Sequence, residues 1–322
     1  MRPAMVIVPF SILTSIVIFV CVDLLQISPS FATPNKSLSS SQTTIGLREK
    51  CPEGTVPIRR ASKEELLRAR TSFMQHFPTS KDGDSPIGFQ FAGLSAASKN
   101  GTTYYGAGGY ASIYNPSVGL GQFSASVISI EGGPVEQFST IRVGWMQAFD
   151  GVMHGCYNTY CSGFVQLNPQ IPLGMVLEQI SVIRGDQYYL KLGVKMDTSS
   201  GNWWLTYGEN DIQVGYWSSS LFTHLNSGAD TLRWGGMVYS STPQLPAMGN
   251  GLTDDYFGCH FRRIALTYQA GSSLNGTLDV PLEVKRTRCY KVGDNYYKGD
   301  FWGYSFWFGG AGGDVKQCSS YK

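Results

Sequence analysis

The fold is decided by one stretch, Gly201-Asn-Trp-Trp-Leu-Thr-Tyr-Gly-Glu-Asn-Asp-Ile-Gln-Val-Gly-Tyr-Trp217. Large apolar side chains alternate with other residues over positions 203–207, stop at positions 209–211, and resume over positions 212–216. Two alternating runs separated by a short polar turn predict a β-hairpin. Because both arms carry aromatic residues on both faces, we expect the hairpin to lie deep in a sheet, packed on both sides, and not at a solvated edge.

The composition agrees with an all-β protein. Among 322 residues there are 38 glycines and 15 prolines, aromatic residues make up 13% and charged residues only 15%. Abundant turn formers with few charges are typical of a globular β-sheet fold with many turns. The formal net charge is +2 and no basic stripe is present, which argues against a nucleic-acid-binding protein.

The N-terminus has the pattern of a secretory signal peptide, residues 1–32. Arg2 precedes an apolar run over residues 4–22, and Ser30 and Ala32 are small residues at the positions that signal peptidase inspects. We expect cleavage after Ala32 and secretion, with no stable membrane insertion afterwards. The alternative is an uncleaved signal anchor, since the apolar run is nearly long enough to span a bilayer. Secretion is also favoured by three glycosylation sequons, which begin at Asn35, Asn100 and Asn275.

A leader, residues 33–88, precedes the main body, residues 89–322. Residues 51–60 contain two prolines and too few apolar side chains to form a core, so they must pack against another part of the chain. Ser62 and Glu65 have capping-box spacing, and the apolar stripe that follows predicts a helix from Lys63 to His76. The polar run over residues 79–85 then reads as an exposed, cleavable linker.

Metal and cofactor chemistry find little support in the sequence. None of the four histidines belongs to an H-x-x-x-H or H-E-x-x-H array. His154, Cys156 and Cys161 form a partial zinc motif, but in a secreted chain a small Cys156–Cys161 disulfide loop is favoured. The glycine-rich segments 106–109 and 309–313 lack the Lys-Ser/Thr of a phosphate loop and predict bulges or turns. We predict no metal and no cofactor.

Several short motifs occur in a defined order along the chain. They are Cys51-Pro-Glu-Gly-Thr-Val-Pro-Ile-Arg-Arg60, Thr140-Ile-Arg-Val-Gly-Trp145, Gly155-Cys-Tyr157, Cys161-Ser-Gly-Phe-Val-Gln166, the Gly201 hairpin, Ala229-Asp-Thr231, Trp234-Gly-Gly236 and Met248-Gly-Asn-Gly251. In these motifs and their order the chain resembles the plant neprosin family, secreted glutamic endopeptidases that favour cutting after proline. The resemblance implies a jelly-roll-like β-sandwich of two antiparallel sheets, preceded by a small propeptide with one helix. It also implies a substrate cleft across one face that opens when the leader is removed.

The resemblance places the catalytic dyad at two positions that are altered here. The family has glutamates in Ile-Glu-x-Gly-Trp and at the end of Trp-Gly-Gly-Glu, where this chain has Arg142 and Met237. Hydrolysis by paired carboxylates requires one ionised and one protonated group. Arginine keeps its proton at any relevant pH, and methionine has none to move. No catalytic residue is therefore expected at these two positions.

Other acids were considered as substitutes. Glu178 begins a strand-like run over residues 177–183 and would face the cleft from a neighbouring strand. Glu131 precedes Gly132-Gly133-Pro134 and is expected in a turn, and Glu209 and Asp211 lie in the turn of the central hairpin. Of these, Glu178 is the possible replacement for a catalytic glutamate.

The cleft implied by the resemblance is rich in aromatic residues, although most aromatics of this kind pack in a core. The candidate lining residues are Arg142, Trp145, Tyr160, Trp203, Trp234 and Met237. We interpret the chain as a secreted, catalytically inactive peptidase homologue of the cell wall or apoplast, whose cleft binds an extended Pro-containing peptide or a cell-wall glycan. The alternatives are an active endopeptidase with a different carboxylate pair and a purely structural secreted protein.

The remaining cysteines complete the disulfide hypothesis. The resemblance also points to Cys156–Cys161, and Cys289 and Cys318 would then bridge the last two strand regions. Cys51 and Cys259 are left to pair with each other across the contact between leader and body, or to remain free.

Overall fold

The structure is a computed structural model of the 322-residue chain. It describes residues 2–6, 15–17, 19–22, 40–42, 46–47, 50–58, 88–98, 101–134, 137–148, 158, 162–253, 257–268, 283–285 and 287–318. The predicted leader helix, the three sequon asparagines, Tyr160 and the Cys156–Cys161 pair lie outside these residues.

Twenty strands form the described secondary structure, together with one 3-10 helix, Ser219–Leu221. The first ten strands are β1 Arg2–Val6, β2 Ser15–Val17, β3 Phe19–Val22, β4 Ser40–Gln42, β5 Phe89–Ala97, β6 Gly106–Ser112, β7 Gln122–Gly132, β8 Ser139–Ala148, β9 Phe164–Gln166 and β10 Gln187–Met196. The others are β11 Trp203–Tyr207, β12 Ile212–Trp217, β13 Thr231–Ser240, β14 Gln244–Leu245, β15 His260–Thr267, β16 Glu283–Lys285, β17 Lys291–Val292, β18 Tyr296–Tyr297, β19 Tyr304–Gly309 and β20 Gly313–Asp314. No helix in this part of the chain has the length and hydropathy of a membrane-spanning segment.

Two large sheets organise these strands. A ten-stranded sheet has the order β17-β19-β15-β6-β10-β11-β12-β9, with β18 also paired to β19 and β4 paired to β10. A six-stranded sheet has the order β16-β5-β13-β7-β8-β2. Two small sheets, β1-β3 and β14-β20, complete the set. The predicted all-β class with antiparallel sheets is confirmed, although β2 and β4 join their neighbours in parallel.

The main core lies between the two large sheets and is anchored by indole rings. Trp145 of β8 donates its Nε1 proton to the carbonyl of Ser112, 2.7 Å away, and Trp234 of β13 donates to the carbonyl of Gly108 at 3.0 Å. Both acceptors belong to β6 of the opposite sheet. Each ring therefore fills the interior while satisfying its one polar group, as a buried tryptophan requires.

The central hairpin forms as predicted, from β11 and β12. The loop between these strands includes Asp211 with a left-handed φ of 47°. The hairpin faces differ, however: Trp203 and Trp217 are fully buried in the core, whereas Trp204 and Tyr216 on the other face are only half-buried. Only the three-residue β9 lies beyond β12. The expectation of a pair packed on both sides was therefore wrong, because aromatics on the outer face stack on each other instead of under another layer.

The described part of the leader lies beside β9. The amide of Leu47 donates to the carbonyl of Gln170 at 2.7 Å, and the amide of Cys51 donates to the carbonyl of Pro169 at 3.0 Å. The side-chain amide of Gln166 in turn donates to the carbonyl of Pro57 at 2.8 Å. The segment thus packs against another part of the chain, as its lack of apolar residues predicted, and it covers backbone groups next to an edge strand.

The cysteines follow the hypothesis in part. Cys289 and Cys318 are bonded to each other. Cys51 and Cys259 are both free, so the proposed bridge between them is wrong. Cys259 lies at the start of β15 and Cys51 beside the end of β9, five strands away, which is roughly 20 Å at ordinary strand spacing. A disulfide requires Cα atoms within about 7 Å.

Candidate functional site

Strand register brings two arginines to one face of the six-stranded sheet. Arg142 of β8 is paired with Ser129 of β7, which is paired with Arg233 of β13. Successive side chains of a strand point to opposite faces. Since Trp145 and Trp234 point into the core, Arg142 and Arg233 lie on the outer face, one strand either side of β7.

Glu131 joins the two arginines. It lies on β7 two residues from Ser129 and so projects from the same outer face. Its Oε2 atom is 2.9 Å from Nε of Arg233, and its Oε1 atom is 3.9 Å from Nη2 of Arg142. The side chains of Arg142, Glu131 and Arg233 are 8%, 6% and 19% exposed. We call these three residues the arginine–glutamate cluster.

Glu131 had been expected in a turn, and the structure corrects this. The residue is the penultimate position of the eleven-residue strand β7, and its buried carboxylate accepts a hydrogen bond from Arg233. Once Trp234 is assigned to the core, period two places Arg233 on the opposite, outer face of β13. That Arg142 and Glu131 lie on the same face follows only from the pairing of β8, β7 and β13.

Met237 lies on the same outer face of the six-stranded sheet, but it is not level with Arg142 and Arg233 across the strands. It is paired with Ala125 of β7 and Phe91 of β5, four residues along β13 from Arg233, and it is buried. Four residues of strand span roughly 13 Å, so two side chains at positions 142 and 237 do not approach the same small group. The residue directly opposite Arg142 across β7 is Arg233.

Three of the predicted cleft aromatics belong to the core. Trp145, Trp203 and Trp234 are essentially inaccessible, and each indole donates to a backbone carbonyl. They do not line a groove, because each is turned between the sheets. Tyr160 is outside the described residues.

The other three candidate acids, Glu178, Glu209 and Asp211, lie outside the six-stranded sheet that carries the arginine–glutamate cluster. Glu178 is exposed in the irregular segment before β10, so the strand expected over residues 177–183 was wrong. Glu209, in the hairpin turn, accepts a hydrogen bond from the hydroxyl of Tyr110, and Asp211 is 2.9 Å from Nζ of Lys191. None of these three carboxylates belongs to the six-stranded sheet.

A second polar group, around Cys259 and His260, is buried at the start of β15. Sγ of Cys259 lies 3.3 Å from Oγ of Ser112. Nδ1 of His260 donates to the carbonyl of Gly258 at 2.9 Å, so Nε2 is the acceptor for the hydroxyl of Tyr189 at 2.8 Å. Burial raises the pKa of the Cys259 thiol to about 12 and lowers the pKa of His260 to about 4. A protonated thiol and a neutral ring with both nitrogens bonded favour a structural role.

The buried imidazole makes stability depend on pH. An unfolded histidine has a pKa of about 6.5. Between that pH and the lower pKa of folded His260, the unfolded chain binds a proton that the folded chain does not bind. We expect the free energy of unfolding to fall by about 2 kcal/mol from this group between pH 8 and pH 5. Urea unfolding of His260→Gln should lose this pH dependence. Tyr189→Phe, which keeps the ring, should retain it, and an equal pH slope in wild type and His260→Gln would contradict the assignment.

Among the described residues, no three His, Cys, Asp or Glu side chains lie together as metal ligands.

The two large sheets and the arginine–glutamate cluster define a β-sandwich whose outer face carries one carboxylate between two cations. A family model described as Neprosin matches residues 120–311, more than half of the chain. The chain belongs to the neprosin family.

Proposed function

We propose that this protein is a secreted, catalytically inactive peptidase homologue that binds its ligand on the outer face of the six-stranded sheet. The observation that carries the proposal is the arginine–glutamate cluster. One carboxylate lies between two guanidinium groups at the place where the family resemblance puts an acid.

The cluster lacks the groups that peptide hydrolysis requires. Paired-carboxylate catalysis needs a base for water and a proton donor for the departing amine. Glu131 accepts a hydrogen bond from Arg233, and neither Arg142 nor Arg233 releases a proton at relevant pH. General acid–base assistance contributes about two to four orders of magnitude per group, so turnover without both groups is negligible.

The same cluster favours a particular ligand. Two arginines and one glutamate leave one formal positive charge on the face, and guanidinium groups bind carboxylates with paired hydrogen bonds. An extended peptide with proline and an acidic side chain fits this charge better than a neutral glycan. Arg142 and Met237 are almost fully buried, and β2, in the predicted signal peptide, pairs with β8 at Arg142. We therefore expect a ligand to reach this face only after the segment before residue 89 has been removed.

A quenched fluorescent peptide containing proline and glutamate tests both parts of the proposal. The full-length chain, and the same chain cut within residues 79–85 by an added protease, are assayed for cleavage and for binding by anisotropy at acid and neutral pH. We expect no cleavage, and binding only after the cut. Arg142→Met should weaken binding of the acidic peptide about tenfold and leave binding of a glutamine-substituted peptide unchanged.

Two double variants then test which positions form the original dyad. Arg142→Glu/Met237→Glu follows the family motif, whereas Arg142→Glu/Arg233→Glu follows the strand register. Cleavage gained by either variant supports a peptidase homologue that has lost its catalytic acids, and it identifies the two positions of the original dyad. Cleavage by the wild type overturns the proposal and favours an active endopeptidase, and absence of peptide binding in every form favours a structural protein.

A further inference from the structure

The C-terminal part of the chain contains an unusually exposed group of aromatic residues. Residues 294–304 read Asp-Asn-Tyr-Tyr-Lys-Gly-Asp-Phe-Trp-Gly-Tyr and include β18 and the start of β19; we call them the aromatic hairpin. Among the described residues, the exposed aromatic side chains are Tyr296, Tyr297 and Phe301, at 57%, 53% and 42%. Clustered exposed aromatics in a folded protein commonly mark a binding surface.

The aromatic hairpin is held rigidly by its own backbone. Lys298 donates its amide proton to the carbonyl of Gly303 at 2.9 Å, and Gly303 donates to Gly299 at 2.6 Å. Gly303 has a φ of 56°, and a Cβ there would lie 2.9 Å from Cγ of Arg263, so glycine is needed at this turn. The rings are thus ordered before any ligand arrives, which lowers the entropic cost of binding.

Two neighbouring arginines of β15 hold the aromatic hairpin by hydrogen bonds to its backbone carbonyls. Arg262 donates from Nη1 to the carbonyl of Phe301 at 2.8 Å, and Arg263 donates to the carbonyl of Asp300 at 2.9 and 2.6 Å. The guanidinium of Arg262 also lies 4.3 Å from the ring of Phe301. Both side chains are therefore occupied in holding the hairpin.

Lys298 is also occupied. Its Nζ atom donates to the carbonyl of Ser305 at 2.6 Å and lies 4.5 Å from the ring centre of Tyr296. One face of Tyr296 is consequently covered. Tyr297 is on the opposite face of β18, in a T-shaped contact with Tyr304 at 5.7 Å, and its hydroxyl donates to the carboxylate of Asp300.

The charges of this surface favour a neutral ligand. Arg262 is buried, Lys298 is half-buried, and the exposed side chain of Arg263 donates to the carbonyl of Asp300, while the carboxylates of Asp294 and Asp300 are exposed. The two accessible cations, Lys298 and Arg263, balance the two carboxylates in formal charge, so the surface favours neither a polyanion, such as a membrane or nucleic acid, nor a basic peptide. A ring face beside hydrogen-bond acceptors suits a molecule with an apolar C–H face and many hydroxyl donors.

We propose that the aromatic hairpin is a binding site for a neutral polysaccharide. A pyranose ring stacks on Tyr297, and a hydroxyl of that sugar donates to the carboxylate of Asp300, which lies beside the Tyr297 ring. The site belongs to the edge of the ten-stranded sheet and is separate from the arginine–glutamate cluster of the other sheet. Its test is independent of peptide cleavage or peptide binding.

Affinity electrophoresis of the full-length chain in gels containing hydroxyethyl cellulose or neutral xylan tests the proposal. We expect retardation by at least one neutral glycan, little by polygalacturonate, and no sedimentation with phosphatidylserine vesicles. Tyr297→Ala should weaken glycan binding at least tenfold, whereas Tyr297→Phe, which keeps the ring, should stay within about twofold of wild type. Leu120→Ala, at an exposed apolar residue elsewhere, is the matched control and should bind as wild type.

The variant Gly303→Ala tests whether binding depends on the ordered conformation of the loop as well as on the aromatic side chains themselves. It keeps all aromatic side chains but strains the loop that orders them, so binding should weaken at least threefold while thermal unfolding of the main body changes little. The proposal is overturned if no neutral glycan retards the chain, if Tyr297→Ala binds as wild type, or if vesicles or polygalacturonate bind more strongly than the neutral glycans.

Discussion

Replacing Glu131 with glutamine is expected to lower the free energy of unfolding by about 3 to 5 kcal/mol. The substitution keeps the size of the side chain but removes the negative charge between Arg142 and Arg233. Two nearly buried guanidinium groups are then left facing each other across β7, and desolvated like charges repel strongly. Urea unfolding at neutral pH measures the effect.

The double variant Glu131→Gln/Arg142→Met identifies the cause. Removing one of the two positive charges should make the double variant more stable than Glu131→Gln alone, because the repulsion disappears with it. Glu178→Gln is the control at an exposed carboxylate and should change stability by less than about 0.5 kcal/mol. A loss below about 1 kcal/mol for Glu131→Gln would show that the cluster contributes little to folding.

The disulfide supplies the second large effect. Cys289 and Cys318 are 29 residues apart in sequence, and a closed loop of that length contributes about 3 to 4 kcal/mol by restricting the unfolded chain. The variant Cys289→Ala/Cys318→Ala should be destabilised by that amount in urea unfolding.

The free thiol of Cys51 offers the control for that experiment. Cys51→Ser should leave stability within about 0.5 kcal/mol of wild type, since its side chain is half-buried and unbonded to sulfur. If the double alanine variant were as stable as wild type, the bond would not constrain the unfolded chain, and the loop-entropy account would be wrong.

Local sequence patterns predicted part of the strand structure. The alternation over residues 203–216 predicted β11 and β12, because burying one face of a strand imposes a period of two on the sequence. It did not predict that Trp204 would be half-buried while Trp203 is fully buried, since both are tryptophans and only the position of the opposite sheet distinguishes them. The run over residues 177–183 shows the opposite error, since its strand-like sequence forms an irregular segment.

The site divides in a similar way. The motif around Trp145 identified Arg142 as a departure from the family pattern, and that conclusion needs only the identity of one residue. It did not identify Glu131 or Arg233, because these residues are 11 and 91 positions away from Arg142 in the sequence and meet it only through the pairing of β8, β7 and β13. The same pairing places Met237 four residues along β13 from the position opposite Arg142.

By itself, the sequence determined the all-β class, the central hairpin, the resemblance to the neprosin family and the absence of glutamate at positions 142 and 237. These follow from residue identity and from short-range periodicity, which depend on neighbours along the chain. The tertiary structure decided which aromatics are core and which are exposed, that Cys51 and Cys259 stay apart, and that one glutamate lies between two arginines. Those outcomes depend on strand order and register across a sheet, where residues distant in sequence come together at strand spacing.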